Sequence, residues 1–519
     1  MACLSSVLIA GILVPLVEPS IAKQYNLLVL CPIGPRSVYR LTLHLSEILA
    51  NAGHLVTHVS TYGPSSKHPN VTEVPTGASV EQLEAMNIFH YRNTMAGYDW
   101  IRDVIEKTGD AMWRNEHIRH LWARRRDFDA VVILSTMNEI AGPFLMDYNG
   151  AFVTLCSSGA AVEALSIAGQ GNWLPLSVIP NKLVYDDHVS FLERLTNVWR
   201  TWALYSEYEE TSISMSQKIL ERYIPGMPPV GQLFERVHLT LINGHFALDG
   251  PMPLLPTQVE IGTITAKPPK PLPSDLEEFA ESAGDSGIIL FTLGSYVKSS
   301  DIPNQCKVIF LEVFRRLPQK VIWKYEEDDL DLPPNVITRK WLPQQDILGH
   351  PKTRLFMSHC GNFGVQEAKY HGVPILGFPV AFDQNSNAVQ MANKGLGLVI
   401  RWEELTRELL FTSIQTLIND PSYAARMKRV SEAAQDQKET AAERAIWWIE
   451  YAIRCNARNC SYAEYGGKTL HFFQYVMADV AVFLVLAFLA LVSFSCYVCA
   501  CAYRIISRVW RRRAKEKIN

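Results

Sequence analysis

Short apolar runs alternate with amphipathic stretches along most of this chain, and they fall into two sets. The first set is YNLLVLC, LVTHVS, DAVVILS, AFVTLC and LTLINGH, and the second is GIILFTLGS, KVIWKYE, RLFMS, PILGFP and GLGLVIRW. A proline-rich segment, AKPPKPLPSD at residues 266–275, separates the two sets and is typical of a semi-rigid connector. Apolar strands that alternate with helices predict parallel sheets covered on both faces. The pattern therefore predicts an α/β protein with one parallel sheet in each half.

The two ends of the chain carry segments of a different kind. Residues 5–22 are apolar and finish with small side chains, which is typical of a cleavable secretory signal. Residues 480–503 contain no charge, and a helix of that length exceeds the roughly 30 Å of a bilayer core. Basic residues follow at once, so the positive-inside rule places the tail in the cytosol and the preceding chain in the lumen. These features predict a single-pass type I membrane protein.

Together these patterns divide the chain into seven segments. At 519 residues the chain is too long for one ordinary core, which favours two domains. We expect a signal peptide at residues 1–22, an N-terminal domain at 23–264, a linker at 265–286, a C-terminal domain at 287–451, a juxtamembrane segment at 452–475, a transmembrane helix at 476–503 and a basic cytosolic tail at 504–519.

Short motifs refine the expected location. Lys515 and Lys517 stand fifth and third from the end of the chain, a placement similar to the di-lysine retrieval signals of endoplasmic-reticulum membrane proteins. The alternative is that they simply extend the basic tail. Asn70 and Asn459 begin Asn-x-Ser/Thr acceptors, which become meaningful for a lumenal domain. We therefore expect a glycoprotein of the endoplasmic-reticulum membrane.

Composition excludes several classes of protein. The net charge of −3 argues against nucleic-acid binding. The ten cysteines do not form a disulfide scaffold, because Cys31 and Cys156 lie in apolar runs where burial is the default. A small disulfide between Cys455 and Cys460 is left open. No residues are predicted as metal ligands.

Residues 341–384 carry the clearest candidate chemistry. RLFMS at 354–358 predicts a buried strand, residues 359–361 a turn, and residues 364–372 a helix ended by glycine. A strand, a glycine turn and a helix start bring together unpaired backbone N–H groups and the positive end of the helix dipole. Gly361 would let the backbone approach a ligand closely. This arrangement suits an anionic phosphate group.

Side chains in the same segment suit the other parts of a nucleotide sugar. Glu367, expected in the first helical turn, could accept two ribose hydroxyls or merely complement the helix dipole. Trp341 could stack on a flat base, although a lone tryptophan is more often part of a core. Asp383 and Gln384 follow the strand-like run PILGFP, at the end of a strand where open α/β sheets bind ligands.

The same residues resemble the nucleotide-sugar signature of the UDP-glycosyltransferases, a family that includes the membrane-bound UDP-glucuronosyltransferases. The resemblance rests on Trp-x-Pro-Gln at 341–344, His-Cys-Gly at 359–361, Glu367 and Asp383-Gln384. It implies a GT-B fold, in which two Rossmann-like α/β domains face a cleft and late helices cross back to the first domain. The resemblance covers nearly the whole chain and is dense at residues 239–451.

The resemblance also implies a role for each of these residues. Trp341 and Gln344 would hold uracil, Glu367 the ribose, Ser295 and His359 with the turn at Gly361 the diphosphate, and Asp383 and Gln384 the sugar hydroxyls. One departure is Phe363, where many family members carry asparagine. We expect this departure to alter a contact with the diphosphate.

The family's catalytic base is not found at its expected position. Inverting sugar transfer requires the acceptor oxygen to lose a proton, which a histidine oriented by a carboxylate usually takes. Counting back from Gly53-His54 places Val38 at the position of the base. The run FDAVVILS places Leu134 at the position of the carboxylate. Neither side chain can take a proton.

Four other residues are candidate substitutes. His44 lies six positions after Val38, which predicts a place on the following helix and off the reacting face. His54 and His58 flank the second strand and are more typical of structural residues. Glu139 would approach the cleft if its loop folded inward.

We therefore expect a UDP-glycosyltransferase that moves glucuronate or glucose from a UDP-sugar to a small lipophilic acceptor without a cofactor. An amine acceptor would tolerate the loss of the base, because its lone pair attacks without prior deprotonation. The alternative is a catalytically impaired member that binds UDP-sugar or a lipophile and acts through partners, in a homo- or hetero-oligomer with family members. A third class is a transport or quality-control membrane protein that reuses the fold. The intact donor residues favour the first class.

Overall fold

Parallel strands form two sheets in the computed structural model, which describes residues 23–84, 89, 96–135, 137–157, 190–251, 254–460, 472–475 and 477–516. The strands of the first sheet are β1 (Asn26–Cys31), β2 (Leu55–Ser60), β3 (Val71–Pro75), β4 (Ala130–Leu134), β5 (Ala151–Cys156), β6 (Leu239–Ile242) and β7 (Gln258–Glu260). They lie in the order β3-β2-β1-β4-β5-β6-β7, and every pair is parallel.

The second sheet has six strands and is likewise parallel throughout. Its strands are β8 (Ile288–Thr292), β9 (Lys320–Lys324), β10 (Val336–Arg339), β11 (Thr353–Ser358), β12 (Ile375–Gly377) and β13 (Gly397–Val399). They lie in the order β10-β9-β8-β11-β12-β13. The prediction of two parallel-sheet α/β halves is confirmed.

Apolar runs in the sequence predict the central strands of both sheets but miss three of the strands at the sheet edges. Strands β4, β5 and β8 are buried at every position, as continuous apolar runs covered on both faces should be. The apolar runs did not predict β3, β7 or β10. These three strands lie at sheet edges, are only three to five residues long, and have at least one partly or fully exposed position each. An edge strand needs less apolar surface, so its sequence signal is weaker.

Helices cover both sheets. Those before the second sheet are α1 (Arg36–Asn51), α2 (Val80–Glu84), α3 (Ala96–Arg114), α4 (Glu116–Ala123), α5 (Phe191–Tyr208), α6 (Ser214–Glu221), α7 (Val230–Phe234), α8 (Phe246–Asp249) and α9 (Ser274–Glu281). The later ones are α10 (Asn304–Arg315), α11 (Gln344–Leu348), α12 (Asn362–His371), α13 (Gln384–Asn393), α14 (Arg407–Asn419), α15 (Pro421–Gln435), α16 (Ala441–Ala457), α17 (Phe472–Tyr475) and α18 (Ala478–Glu516). Four 3-10 helices (Arg125–Asp127, Glu139–Leu145, Gly284–Ser286 and Ser299–Asp301) and a π-helical segment (Glu209–Ile213) complete the elements.

Helix α16 returns from the second domain to the first. Thr440 and Glu443 form a capping box at its start, which satisfies backbone N–H groups that would otherwise have no partner. Ala445, Ile449 and Ala452, spaced by four and three residues, are buried in the apolar core of the first sheet. The two domains are therefore tied together by a packed helix as well as by the linker.

The last described helix, α18, has a long exposed apolar surface. The most apolar 18-residue window within Ala478–Arg513 has a mean hydropathy of 2.6 and none of it is buried, so the helix is long and apolar enough to cross a membrane. We expected the helix to end at residue 503. It continues through the basic residues to Glu516, because arginine and lysine are good helix formers and add no break.

Several other predictions concern the ends and the cysteines. The predicted signal peptide, residues 1–22, and Lys517 lie outside the described residues, whereas Lys515 lies in α18. Asn459 is exposed, and Asn70 is partly exposed. Cys31 and Cys156 are buried, as predicted. Cys455 and Cys460 are free thiols, with the Cys455 sulfur 3.7 Å from the Cys460 carbonyl oxygen, so the disulfide that the sequence left open is not formed.

Candidate active site

A cavity of about 1060 Å³ lies where the two domains meet. Its walls are built from residues at or after the carboxyl ends of β1, β4 and β5 in the first sheet and of β8 and β11 in the second. Open α/β sheets bind ligands at this edge because connections diverge there and leave a crevice. The eight residues predicted to bind a nucleotide sugar all line this cavity: Ser295, Trp341, Gln344, His359, Gly361, Glu367, Asp383 and Gln384.

The turn between β11 and α12 is shaped by two glycines around the His359 ring. A Cβ atom on Gly361 would lie 2.4 Å from His359 Nε2, and one on Gly294 would lie 2.6 Å from Cε1. Gly294 also has φ +81°, which non-glycine residues rarely adopt. The imidazole fits only because both neighbours lack a side chain, so its position in the cavity is fixed.

Cys360 makes the turn tight. It has φ +63°, and its buried side chain occupies the space beside Gly377, where a Cβ atom would lie 2.5 Å from the sulfur. The Asn387 side chain donates to the Cys360 carbonyl oxygen at 3.0 Å. A non-glycine residue in the left-handed region persists only where its surroundings hold it there. The turn is therefore held in one conformation ahead of any ligand.

Three buried polar side-chain atoms at this turn lack a hydrogen-bond partner within the described part of the chain. They are Ser295 Oγ, His359 Nδ1 and Asn362 Nδ2. Buried groups of this kind normally find partners, so three together at a helix N-terminus point to an absent polar ligand. Burial, reinforced by the Lys324 charge, lowers the pKa of His359 to about 3. The imidazole is therefore neutral and can donate one hydrogen bond to a phosphate oxygen.

Glu367 and Gln344 form a second polar group on the same wall. The Gln344 amide nitrogen donates to the Glu367 carboxylate at 2.6 Å. Burial raises the pKa of Glu367 to about 7, and the Gln344 hydrogen bond opposes that rise. We expected Glu367 in the first turn of its helix, which is wrong: Asn362 and Phe363 are already helical, so Glu367 lies in the second turn. Dipole complementarity acts mainly within the first turn, so it does not explain this carboxylate.

Trp341 has a partner that the sequence did not reveal. Its ring is 47% exposed at the cavity, and the Arg40 guanidinium lies 4.1 Å from the ring centroid. Arg40 belongs to α1 of the first domain, so this cation–π contact joins the two walls of the cleft. Burial, with a smaller effect from Arg36, lowers the pKa of Arg40. No local motif connects two residues so far apart in the chain.

Asp383 and Gln384 differ in how much of each side chain remains for a ligand. The Gln384 side-chain oxygen accepts from the backbone N–H groups of Val380 at 2.8 Å and Ala381 at 3.1 Å. The Gln384 amide nitrogen then remains available to donate a hydrogen bond to a sugar hydroxyl. The Asp383 carboxylate accepts from the Asn387 side chain at 2.7 Å. Desolvation raises the pKa of Asp383, and the Asn387 hydrogen bond opposes the rise.

The opposite wall is apolar at Val38 and Leu134, the two positions where the family resemblance implies a catalytic pair. Val38 and Leu134 both line the cavity, and both are buried members of one apolar cluster of the first domain. Counting along the sequence without gaps, back from Gly53-His54 and along the run FDAVVILS, therefore identified two residues on the same wall of the cleft. Of the described residues that line the cavity, every carboxylate comes from the second domain.

His44 lines the cavity away from these positions. It lies on α1, as predicted, and at about 1.5 Å per residue it is ~9 Å along the helix from Val38. Its Nδ1 atom is 3.9 Å from a Glu47 carboxylate oxygen, and the Ile264 backbone also acts on the ring. Burial and the Lys267 charge lower the pKa of His44, while Glu47 opposes them. His44 therefore lines the cavity with a carboxylate beside its ring, but about two turns of α1 away from Val38.

The remaining substitutes for the base are buried. We expected that Glu139 could reach the cleft, which is wrong, because it lies in a core 3-10 helix and accepts hydrogen bonds from Tyr208 and Ser212. His58 contacts the Thr42 hydroxyl at 2.9 Å, and the prediction that it is structural is confirmed. His54 is likewise buried, 3.3 Å from a Glu450 carboxylate oxygen.

One cluster of potential metal ligands lies outside the cavity. Glu277, Glu281 and His350 offer ligand atoms within 4.8 Å of one another. His350 Nδ1 accepts a hydrogen bond from the Lys352 backbone N–H, which leaves the proton of a neutral ring on Nε2, the atom that faces the two carboxylates. The Nε2 atom lies 3.5 Å from a Glu277 oxygen and 3.9 Å from a Glu281 oxygen, and none of the three residues lines the cavity.

Comparison with known proteins places these features in a family. A family model described as "UDP-glucoronosyl and UDP-glucosyl transferase" matches residues 38–513. UDP-glucosyltransferase 2 from Dactylopius coccus is 31% identical, with 96% of this chain and 97% of that protein covered. Human 2-hydroxyacylsphingosine 1-beta-galactosyltransferase is 29% identical over 96% of this chain and 92% of its own length. UDP-glucuronosyltransferase 2C1 from Oryctolagus cuniculus is 30% identical, covering 66% of this chain and 68% of that protein.

Solved structures agree on the fold. Spinosyn forosaminyltransferase SpnP superposes with a TM-score of 0.57 at 16% identity, over 83% of this chain and all of that one. A glycotransferase of kitacinnamycin gives 0.56 at 18% identity with the same coverage. The comparisons do not favour a catalytically silent protein over an active transferase. The chain therefore belongs to the UDP-glycosyltransferase family, as a glucuronosyl- and glucosyltransferase-type enzyme with the GT-B fold and the inverting mechanism typical of that family.

Proposed function

We propose that this chain transfers a hexose from a UDP-sugar to a small lipophilic acceptor inside the cavity between its domains. The observation that supports this most strongly is a group of three buried polar atoms around the β11–α12 turn, on Ser295, His359 and Asn362, which have no hydrogen-bond partner among the described residues. They converge at a helix N-terminus, where a diphosphate would gain both hydrogen bonds and the favourable end of the helix dipole.

Each donor residue then takes one part of the nucleotide sugar. Trp341 and Gln344 hold uracil, Glu367 accepts the ribose hydroxyls, and Ser295, His359 and the Gly361 turn hold the diphosphate. Asp383 accepts from a sugar hydroxyl, while Gln384 donates to one through the amide nitrogen that the loop leaves available. The names of the relatives given above refer to glucosyl, galactosyl and glucuronosyl transfer. We propose UDP-glucose or UDP-glucuronate as the donor for this chain.

The acceptor side of the cavity is suited to a lipophilic molecule. Its wall from the first domain includes apolar side chains after β1, on α2 and α3, and after β4: Ile33, Leu83, Trp100, Ile101, Val104 and Met137. An apolar acceptor that covers this surface removes it from water, at roughly 25 cal/mol per Å². The enzyme would therefore select acceptors mainly by apolar contact, with few polar contacts to fix their identity.

The chemistry of this wall also limits the acceptor nucleophile. A hydroxyl needs a base as it attacks, and Val38 and Leu134 supply none. An uncharged amine already presents its lone pair. The nitrogen forms a bond to the anomeric carbon while the bond from that carbon to the UDP oxygen breaks. The electron pair of the broken carbon–oxygen bond leaves with UDP. A proton on the resulting ammonium then passes to solvent. We therefore propose lipophilic amines as the preferred acceptors.

The exposed apolar helix near the C-terminus indicates that the chain is anchored in a membrane. We propose the endoplasmic reticulum as the location, with the domains in the lumen and the basic tail in the cytosol. Lys515 and Lys517 would form the retrieval signal. Asn70 and Asn459 are at least partly exposed and would be available for glycosylation.

A transfer assay tests this proposal. Membranes containing the full chain are incubated with UDP-glucose or UDP-glucuronate and a panel of lipophilic amines and phenols, and products are measured by mass spectrometry. We expect amine conjugates from the wild type and none from the Glu367→Ala, Asp383→Ala double variant. Glu432→Ala, on the exposed surface of α15, is the matched control and should retain activity. Transfer to neither acceptor class by the wild type would contradict the proposal.

A further inference from the structure

Phe363 connects the donor wall of the cavity to the apolar wall opposite. It is the second residue of α12, and its partly buried side chain packs against the apolar cluster of the first domain that contains Val38 and Leu134. All three side chains line the cavity. They come from three distant parts of the chain, and each stands where the family resemblance implies a polar residue.

The neighbouring residue keeps a polar role at this turn. Asn362 lines the cavity, and its buried Nδ2 atom has no hydrogen-bond partner in the described part of the chain. An amide donor therefore remains available beside the helix N-terminus. Phe363 is free of that task, and its ring contacts the other domain instead of a diphosphate.

An apolar ring at this position affects any proton transfer nearby. A histidine base becomes an imidazolium ion when it takes a proton, and its partner carboxylate is charged throughout. Burying such charges against apolar groups is costly, because protein atoms replace the water that would solvate them. A histidine and an aspartate introduced at positions 38 and 134 would therefore work poorly within this apolar cluster, against which the Phe363 ring packs.

We propose that Phe363 determines the nucleophile that this enzyme accepts, by completing an apolar wall with Val38 and Leu134. This inference rests on the proposed transfer reaction and adds a residue of the donor domain to acceptor selection. The apolar wall keeps water and ionised groups from the anomeric carbon. It favours lipophilic acceptors with an uncharged lone pair, such as aromatic amines, and slows attack by water on the UDP-sugar.

A set of variants tests whether the three residues act as a unit. The full chain in membranes is compared as wild type, Phe363→Asn, the Val38→His, Leu134→Asp double variant, and the triple variant with all three changes. Transfer from UDP-glucose and UDP-glucuronate is measured to a lipophilic phenol and to the aromatic amine with the same ring skeleton. Release of UDP without an acceptor measures hydrolysis. Phe363→Leu keeps an apolar side chain, and Phe411→Asn controls for loss of a partly buried phenylalanine packed elsewhere in the second domain.

We expect Phe363→Asn to speed transfer to the phenol at least about tenfold when it is added to the double variant, and to leave that transfer near the wild-type rate when it is made alone; independent sites would show the same factor in both backgrounds. Phe363→Asn alone should raise UDP release at least about threefold by admitting water, Phe363→Leu should raise it less because the side chain stays apolar, and Phe411→Asn should stay near the wild type. If the double or triple variant loses UDP-glucose binding through misfolding, the UDP release of the Phe363→Asn variant alone tests the proposal.

Two failures are distinguishable. A wild type that transfers sugar to neither acceptor contradicts the proposed function itself. A wild type that conjugates the amine, together with a triple variant no better than the double variant or a Phe363→Asn variant with wild-type UDP release, contradicts only the role of Phe363.

Discussion

The two walls of the cleft differ in chemistry although they border the same cavity. The wall from the second domain is polar and held in place by contacts within the protein: a histidine fixed between glycines and a carboxylate hydrogen-bonded to a glutamine. It also has three polar atoms without a partner among the described residues. The wall from the first domain is apolar at the positions where proton transfer would occur. The difference indicates that donor binding and acceptor activation can diverge separately in one fold.

The polar wall is closely packed around the His359 ring, so even one added methyl group there should disturb donor binding. Gly361→Ala would place a Cβ atom 2.4 Å from the His359 ring and displace it from the turn. We expect UDP-glucose affinity to fall at least about a hundredfold, ~2.7 kcal/mol, in calorimetric titrations. Gly231→Ala, where a Cβ atom meets nothing within 4 Å, is the control. Equal affinities for the two variants would show that the turn does not hold the donor.

Glu367 should make donor binding on this wall depend on pH. Its pKa is raised to about 7 by burial, and ribose hydroxyls donate best to the ionised form. Binding therefore weakens as the pH falls through 7, and UDP-glucose, which has no phosphate titrating in this range, should bind about tenfold more weakly at pH 6 than at pH 8. Glu367→Gln should remove this dependence. A wild-type affinity that is the same at both pH values would exclude an ionised Glu367 from the ribose contact.

Arg40, on α1 of the first domain, contacts Trp341 on the polar wall of the second domain. Its guanidinium lies over Trp341, so Arg40→Ala should leave the ring less well fixed and weaken UDP-glucose binding by about 0.5–1 kcal/mol. Arg36→Ala, one turn earlier on α1 and paired with Glu84, should have no effect on the nucleotide. Fluorescence titration measures both variants, and tighter binding by Arg40→Ala would mean that Arg40 competes for the ring.

Most of the fold and the grouping of the donor residues could be predicted because their signals are local. The central strands are continuous apolar runs, and the donor residues follow a fixed order within one strand–turn–helix segment plus Ser295. The start of α12 was misplaced by two residues because Asn362 and Phe363 have weak helix propensity, and the turn geometry decided their conformation.

Other features depend on contacts between residues far apart in the chain. Glu139 would have approached the cleft if its loop folded inward, but hydrogen bonds from Tyr208 and Ser212 hold it in the core. The stacking of Arg40 on Trp341 and the packing of Phe363 on the first domain join segments that no periodicity or motif links. Such contacts are set by how the domains meet, which the sequence pattern of either domain does not specify.

The most direct test of the donor site is a calorimetric titration of UDP-glucose into the full-length chain and into its Glu367→Ala, Asp383→Ala variant. The site described here predicts saturable one-to-one binding by the wild type and no measurable binding by the variant, with Glu432→Ala unchanged. Equal binding by the wild type and the double variant would contradict it, because the nucleotide sugar would then be held elsewhere.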